Sequence, residues 1–155
     1  MKFSTREDIE VSIDKVFRAV SDFDGFERQA LRRGADVSRR DTLGKPGVGS
    51  EWSIKFPFRG KPRKVLARIT QFDSPNGYVA ETDSGGIDGL VTVELVSLSP
   101  RRTRMHFTLN LTPRTLSARL LVQSLKFAKS NLTKRFSTRV WQFAQDIEAR
   151  HKTVA

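Results

Sequence analysis

The 155-residue chain contains no cysteine, one tyrosine and two histidines, and only 17 acidic residues stand against 28 basic ones. Without cysteine there are no disulfides, thiolate metal sites or cysteine nucleophile, so packing alone must hold the fold. No stretch approaches about 18 consecutive apolar residues. The opening segment MKFSTREDIEVS lacks the apolar core of a secretory signal. These shortages predict a soluble, cytoplasmic protein with no membrane span. Acid–base chemistry is also thinly supplied. His106 alternates outward with Arg104 and Thr108, His151 lies close to the chain end, and no His/Asp/Glu spacing suggests a metal site. Tyr78, Thr82, Gln71 and Asn110 offer isolated polar contacts but no nucleophile–base–orienter set. No catalytic residue, metal or cofactor is expected.

What is present is periodicity. From Arg114 to His151 the chain carries neither glycine nor proline. Leu116, Leu121, Leu125, Ala128, Leu132, Phe136, Val140, Phe143 and Ile147 recur there at steps of three, four and five. That is one face of a helix. At 1.5 Å per residue such a helix would run about 55 Å, whereas a domain of this size has a radius of gyration near 15 Å. It must span the molecule, break near Ser130-Asn131, or project from one end.

Most of the remainder reads as strands. Residues 2–11 alternate loosely. Ser12 then caps a helix with the apolar stripe Ile13, Val16, Phe17 and Val20. Asp22-Phe23-Asp24-Gly25 reads as an interruption before a second short helix over 26–33, ended by Gly34. Strand patterns follow over 35–40, 50–58, 64–72, 78–83, 89–98 and 104–111, separated by Gly/Pro/Ser/Asn turns. Within 50–58, Trp52, Ile54, Phe56 and Phe58 share one face; within 104–111, Met105, Phe107, Leu109 and Leu111 do. Consecutive strands on hairpin-length turns predict an antiparallel meander. The fold class is therefore α+β, with seven antiparallel strands covered by the long helix and two short helices after the first strand. No repeat, low-complexity tract or linker divides the chain, so one domain over 1–155 is expected.

This order, the run Ile13-Asp14-Lys15-Val16-Phe17, the step Val20-Ser21-Asp22-Phe23 with aromatic Phe26, and the loop ending Gly47-Val48-Gly49-Ser50 resemble the START-like, Bet v 1-like superfamily. That group is also called SRPBCC or polyketide cyclase/dehydrase-like. The resemblance covers essentially the whole chain, with Ile13 where many members carry proline. It implies a helix-grip fold, in which a curved seven-stranded sheet wraps a long C-terminal helix around an internal cavity for apolar ligands.

On that reading the cavity is lined by Phe23, Phe26, Trp52, Ile54, Phe56, Phe107, Leu109, Leu111, Phe127, Leu132, Phe136 and Val140. The expected function is binding, with transport as its extension, of a hydrophobic small molecule such as a lipid, quinone or isoprenoid. The alternative is a polyketide cyclase/dehydratase-type enzyme acting on an aromatic or polyketide substrate. A third class, a basic interaction module, would have a collapsed cavity.

Charge adds a second theme. Residues 114–155 hold nine Lys/Arg and two Asp/Glu, so most of the net +11 lies on the terminal helix. A solvated face explains such charge without any partner. The basic residues Arg119, Lys126, Lys129 and Lys134 also surround a broad apolar patch, Leu116-Leu120-Leu121-Val122-Leu125-Phe127, which suits an anionic membrane surface. Nucleic acid is disfavoured, because neither paired strand aromatics nor a recognition helix appears. Residues 44–49 are glycine-rich but lead into a strand and lack a Walker lysine, so the glycines suit a loop folded over the cavity mouth better than a phosphate cradle.

Overall fold

A computed structural model describes residues 1–152 of the chain. Strand β1 (Lys2–Ile9) leads into α1 (Ile13–Val20) and α2 (Phe23–Arg32). Strands β2 (Asp36–Arg39), β3 (Glu51–Phe58), β4 (Lys61–Asp73), β5 (Gly77–Ser84), β6 (Ile87–Ser99) and β7 (Arg102–Pro113) follow. Two helices, α3 (Leu116–Phe127) and α4 (Lys129–Arg150), close the chain. All seven strands form one antiparallel sheet in the order β1-β7-β6-β5-β4-β3-β2. The helix-grip architecture read from the sequence is the observed one.

Turn chemistry explains how far the central strands extend. Arg59 and Gly60 both have positive φ, as do Gly85 and Gly86, so each pair makes a two-residue hairpin turn. That lets β4 and β6 grow to 13 residues each, longer than their alternating patterns suggest. Register shifts at Ile69/Gln71 and Ser97/Ser99 add bulges, which bend strands and sharpen their twist. The result is a curved sheet with a concave face.

Two helical boundaries differ from the sequence expectation. The segment Asp22-Phe23-Asp24-Gly25 is not an interruption but the start of α2. The Asp22 carboxylate accepts the Gly25 amide at 3.1 Å, an N-cap that tolerates glycine in the first turn. Of the three outcomes left open for the C-terminal helix, the break is the observed one, at Ala128, two residues before Ser130. Ala128 adopts φ −102° and ψ 11°, ending α3 and starting α4. The two halves bury different stripes: Ala118, Val122 and Leu125 on α3, but Val140, Ala144 and Ile147 on α4. One straight rod of this length cannot keep both stripes against a curved sheet.

The main core joins α1 and α4 to β6 and β7. Ile9, Val16, Val93, Met105 and Ile147 are almost wholly buried there. The start of α3 is tied to the β5–β6 hairpin by Arg114, which pairs with Asp83 and Asp88 at 2.8 Å each. Thr115 caps α3 by accepting the Ala118 amide at 3.1 Å, and Arg59 donates to Ser124 Oγ at 2.8 Å further along.

The loop from β2 to β3 is organised by Asp41. Its carboxylate accepts the Glu51 amide at 2.7 Å, the Leu43 amide at 2.9 Å and Arg39 Nε at 2.7 Å. Burial works against ionisation, but these donors outweigh it and hold the carboxyl below the usual carboxylate range.

Two outcomes follow from this packing. Ile147→Ala should lower unfolding free energy by about 3 kcal/mol, because it empties a sealed site, whereas Leu116→Ala on exposed α3 should change it by less than about 0.5 kcal/mol. Urea titration of both variants measures this, and equal losses would contradict the division of the helix. Asp41 is depressed in the folded state, so its contribution is present above its unfolded value of about pH 4 and fades as pH falls through the native value. The gap in melting temperature between wild type and Asp41→Asn should therefore stay level from pH 7 to about pH 5 and narrow as pH falls further to about pH 3. A gap that stays constant across that range would show that ionisation of Asp41 does not contribute.

Candidate functional site: a cavity between sheet and helices

The helices do not fill the concave face. A cavity of about 530 Å³ remains between the middle of the sheet, α2 and α4. Its size falls in the range that holds small organic ligands. Small side chains make the hollow: Ala67 and Ala80 face it from β4 and β5, and Ala30 faces it from α2. Register sets this up, since Trp52 pairs with Ala67, Ala67 with Thr82, and Ile69 with Ala80, so these residues share the concave face. Gly89 continues the Thr82 row, and a Cβ there would overlap the Thr82 hydroxyl.

Aromatic rings build much of the wall. Phe23 meets Trp52 edge-on at 5.0 Å and Tyr78 at 5.4 Å between ring centroids. Phe107 meets Phe136 at 5.4 Å, and Phe26 packs on Phe143 at 5.8 Å, which joins α2 to α4. Such pairs hold ring orientation as well as burying area.

Polar groups in the wall are few and mostly committed. The Tyr78 hydroxyl donates to the Val20 carbonyl at 2.7 Å, and burial pushes its pKa well above the ordinary phenol value. Glu27 accepts from Trp52 Nε1 at 2.5 Å and from Arg39 Nη1 at 2.9 Å through one carboxylate oxygen. Arg39 also lies over the Trp52 ring at 4.9 Å. Burial would lower the Arg39 pKa, but its bonds to Asp41 and Glu27 prevail and raise it. This cluster fixes Trp52, and with it one side of the cavity. Arg139 is the remaining charged group in the wall.

Of the residues expected to line the cavity, Phe23, Phe26, Trp52, Ile54, Phe107, Phe136 and Val140 do so. Phe56, Leu109, Leu111, Leu132 and Phe127 do not. Phe56 shares the face of Trp52 and Ile54 but lies opposite Arg63, nearer the hairpin tip and past the hollow. Leu109 and Leu111 occupy the end of β7, the strand on which α3 packs. Leu132 is half-buried in the first turn of α4, outside the lining. Phe127 is 95 % exposed at the end of α3, on the side of that helix opposite Ala118 and in line with exposed Leu116 and Leu120.

Sequence reasoning missed Glu27, Ala30, Val37, Arg139 and Phe143, which reach the cavity only because α2, β2 and α4 converge. Phe143 was legible as part of the helix stripe; Glu27 and Arg139 carried no such signal. Tyr78 and Thr82, singled out as isolated polar groups, do line it. Gln71 and Asn110 are exposed and do not. Residues 44–49 are absent from the lining, so their glycines do not form its wall.

The other residues singled out lie elsewhere. Arg119, Lys126, Lys129 and Lys134 are all exposed on α3 and α4. His106 Nε2 lies 2.7 Å from Ser4 Oγ, away from the cavity, and His151 Nδ1 lies 2.9 Å from the Ile147 carbonyl oxygen. Among the described residues no group of three His, Cys, Asp or Glu could hold a metal ion, and no helix is long and apolar enough to cross a membrane.

Several solved structures share this architecture. A protein from Thermus thermophilus superposes with a TM-score of 0.69 at 14% identity, covering 98% of this chain and 100% of that one. The Zhui aromatase/cyclase from Streptomyces gives 0.68 at 10% identity over 99% and 96% of the two chains. A START superfamily protein from Mycobacterium smegmatis gives 0.55 at 14% identity over 86% and 95%. At such identities the likeness is one of fold. No curated protein sequence matches this chain. The profile of one family, described as polyketide cyclase / dehydrase and lipid transport, matches residues 1–148. With that match spanning nearly the whole chain, this protein belongs to the polyketide cyclase/dehydrase and lipid-transport family.

Proposed function

We propose that this protein binds a hydrophobic small molecule in the cavity and carries it, docking on anionic membranes through α3. The carrying observation is the wall itself: aromatic and aliphatic side chains dominate it, and the Tyr78 hydroxyl is engaged with Val20. Apolar ligand surface entering such a site gains about 25 cal/mol per Å². A lipid, quinone or isoprenoid body suits that chemistry. The family description, which includes lipid transport, is consistent with it.

The same family description includes cyclases and dehydrases, and a cyclase-type enzyme is the second reading. An apolar, aromatic-walled hollow can fold a polyketide as well as hold a lipid. Proton transfer there would need a titratable group poised near the working pH. Tyr78, with its pKa raised and its proton given to a backbone carbonyl, is poorly suited to that role. This difference favours binding over catalysis.

Membrane docking is supported by α3. Leu116, Leu120 and Phe127 are 74 %, 60 % and 95 % exposed, and their spacing places them along one helix face. Arg119, Lys126 and Lys129 flank that face. Apolar side chains inserted at the interface, with cations at headgroup level, bind most strongly to anionic bilayers.

Two measurements test these statements. Wild type should enhance the fluorescence of the neutral apolar probe N-phenylnaphthylamine saturably. Ala80→Phe, which fills the hollow from β5, should weaken that binding about tenfold or more while the protein still melts cooperatively. Undiminished binding would place the probe outside the cavity. In flotation assays the protein should bind phosphatidylglycerol vesicles, release them as salt rises, and lose most binding in Phe127→Glu. Equal binding to phosphatidylcholine vesicles, or none to either, would exclude the docking surface.

A further inference from the structure

Arg139 differs from every other residue of the cavity wall. It is the one exposed residue among those lining the cavity, so it stands where the hollow meets solvent. Among the described residues it has no carboxylate partner and no side-chain hydrogen bond. Arg39, Arg102, Arg104 and Arg114, by contrast, each pair with one or more carboxylates. Glu27, the other charged group of the wall, is already engaged by Arg39 and Trp52. It therefore does not neutralise Arg139.

The local sequence adds to the imbalance. Arg135 lies one turn before Arg139 on α4, is also exposed, and forms no ion pair among the described residues. Like charges at this spacing repel and weaken a helix slightly. An anion beside them would relieve that repulsion. The stem of Arg139 is well placed, because Val140 next to it is buried in the main core and Phe143 one turn later is held by Phe26. A guanidinium keeps its charge at any ordinary pH and presents a planar fork matched to a carboxylate. Asp24, Glu27 and Asp41 all pair with Arg39.

Resting on the binding function proposed above, we infer that the ligand is an amphiphile with a carboxylate head: the apolar body occupies the hollow and the head is held at the mouth by Arg139, with Arg135 adding to the field. The apolar wall supplies affinity, and Arg139 supplies orientation and a preference for the charged end.

Competition against N-phenylnaphthylamine on the full chain tests this, using laurate and its uncharged methyl ester at pH 8 and low salt. Laurate should displace the probe about tenfold more effectively than the ester, as expected for one charge-assisted contact at a partly exposed site. In Arg139→Gln that ratio should fall to within about twofold, and Arg139→Lys should restore part of it. In wild type the ratio should also shrink as salt rises, a readout that depends on no substitution. An equal response to both ligands in wild type, or a preference that survives Arg139→Gln, would overturn the assignment while leaving apolar binding intact. If the neutral probe itself fails to bind, the binding function falls and this inference falls with it.

Discussion

The constraint on which this structure depends is the mismatch between a broad concave sheet and the one helix clamped across it. Helix α4 anchors at one end, where Ile147 and Ala144 join Ile9, Val11 and Val16 in the main core. Toward the middle of the sheet the opposing side chains shrink to Ala67 and Ala80, and the helix no longer meets the wall. Protein interiors normally pack without voids of this size. Here the void persists because curvature and small residues coincide, while a rigid frame of rings and ion pairs stops collapse.

That frame is mostly built at the rim. The Glu27–Arg39–Trp52 cluster links α2, β2 and β3, and Asp41 extends it into the following loop. Phe26 on Phe143 ties α2 to α4 from the other side. Partly buried ion pairs contribute modestly to stability, since desolvation offsets attraction. Their use here is positional: they hold an indole and a short helix in place around a space that has no packing of its own.

The break at Ala128 separates two jobs that one helix would have had to combine. Helix α4 serves the core and the cavity. Helix α3 buries only Ala118, Val122 and Leu125, is pinned at its start by Arg114, and turns Leu116, Leu120 and Phe127 outward. The basic excess of the last third of the chain thus divides between an outward apolar face on α3 and the cavity mouth at Arg139. Both arrangements place positive charge beside apolar surface, the pairing that an amphiphilic anion or an anionic bilayer would satisfy.

The architecture was legible because it follows from short-range rules. Two-residue periodicity marked the strands, Gly and Pro marked the turns, and a helical stripe marked the cover. Seven cavity residues were legible as the apolar face of those elements. The rest depended on placement. Phe127 stands off the stripe that carries Phe136, on the side of α3 opposite Ala118, and is exposed, so the helical period itself places it away from the cavity. Glu27 and Arg139 read as ordinary surface charges until α2 and α4 bring them to one rim. Local sequence determines which way a side chain points from its own element. Where the concave face is left uncovered depends on how far β4 and β6 extend and on where the final helix breaks, and those distances are set only when the whole sheet has closed around it.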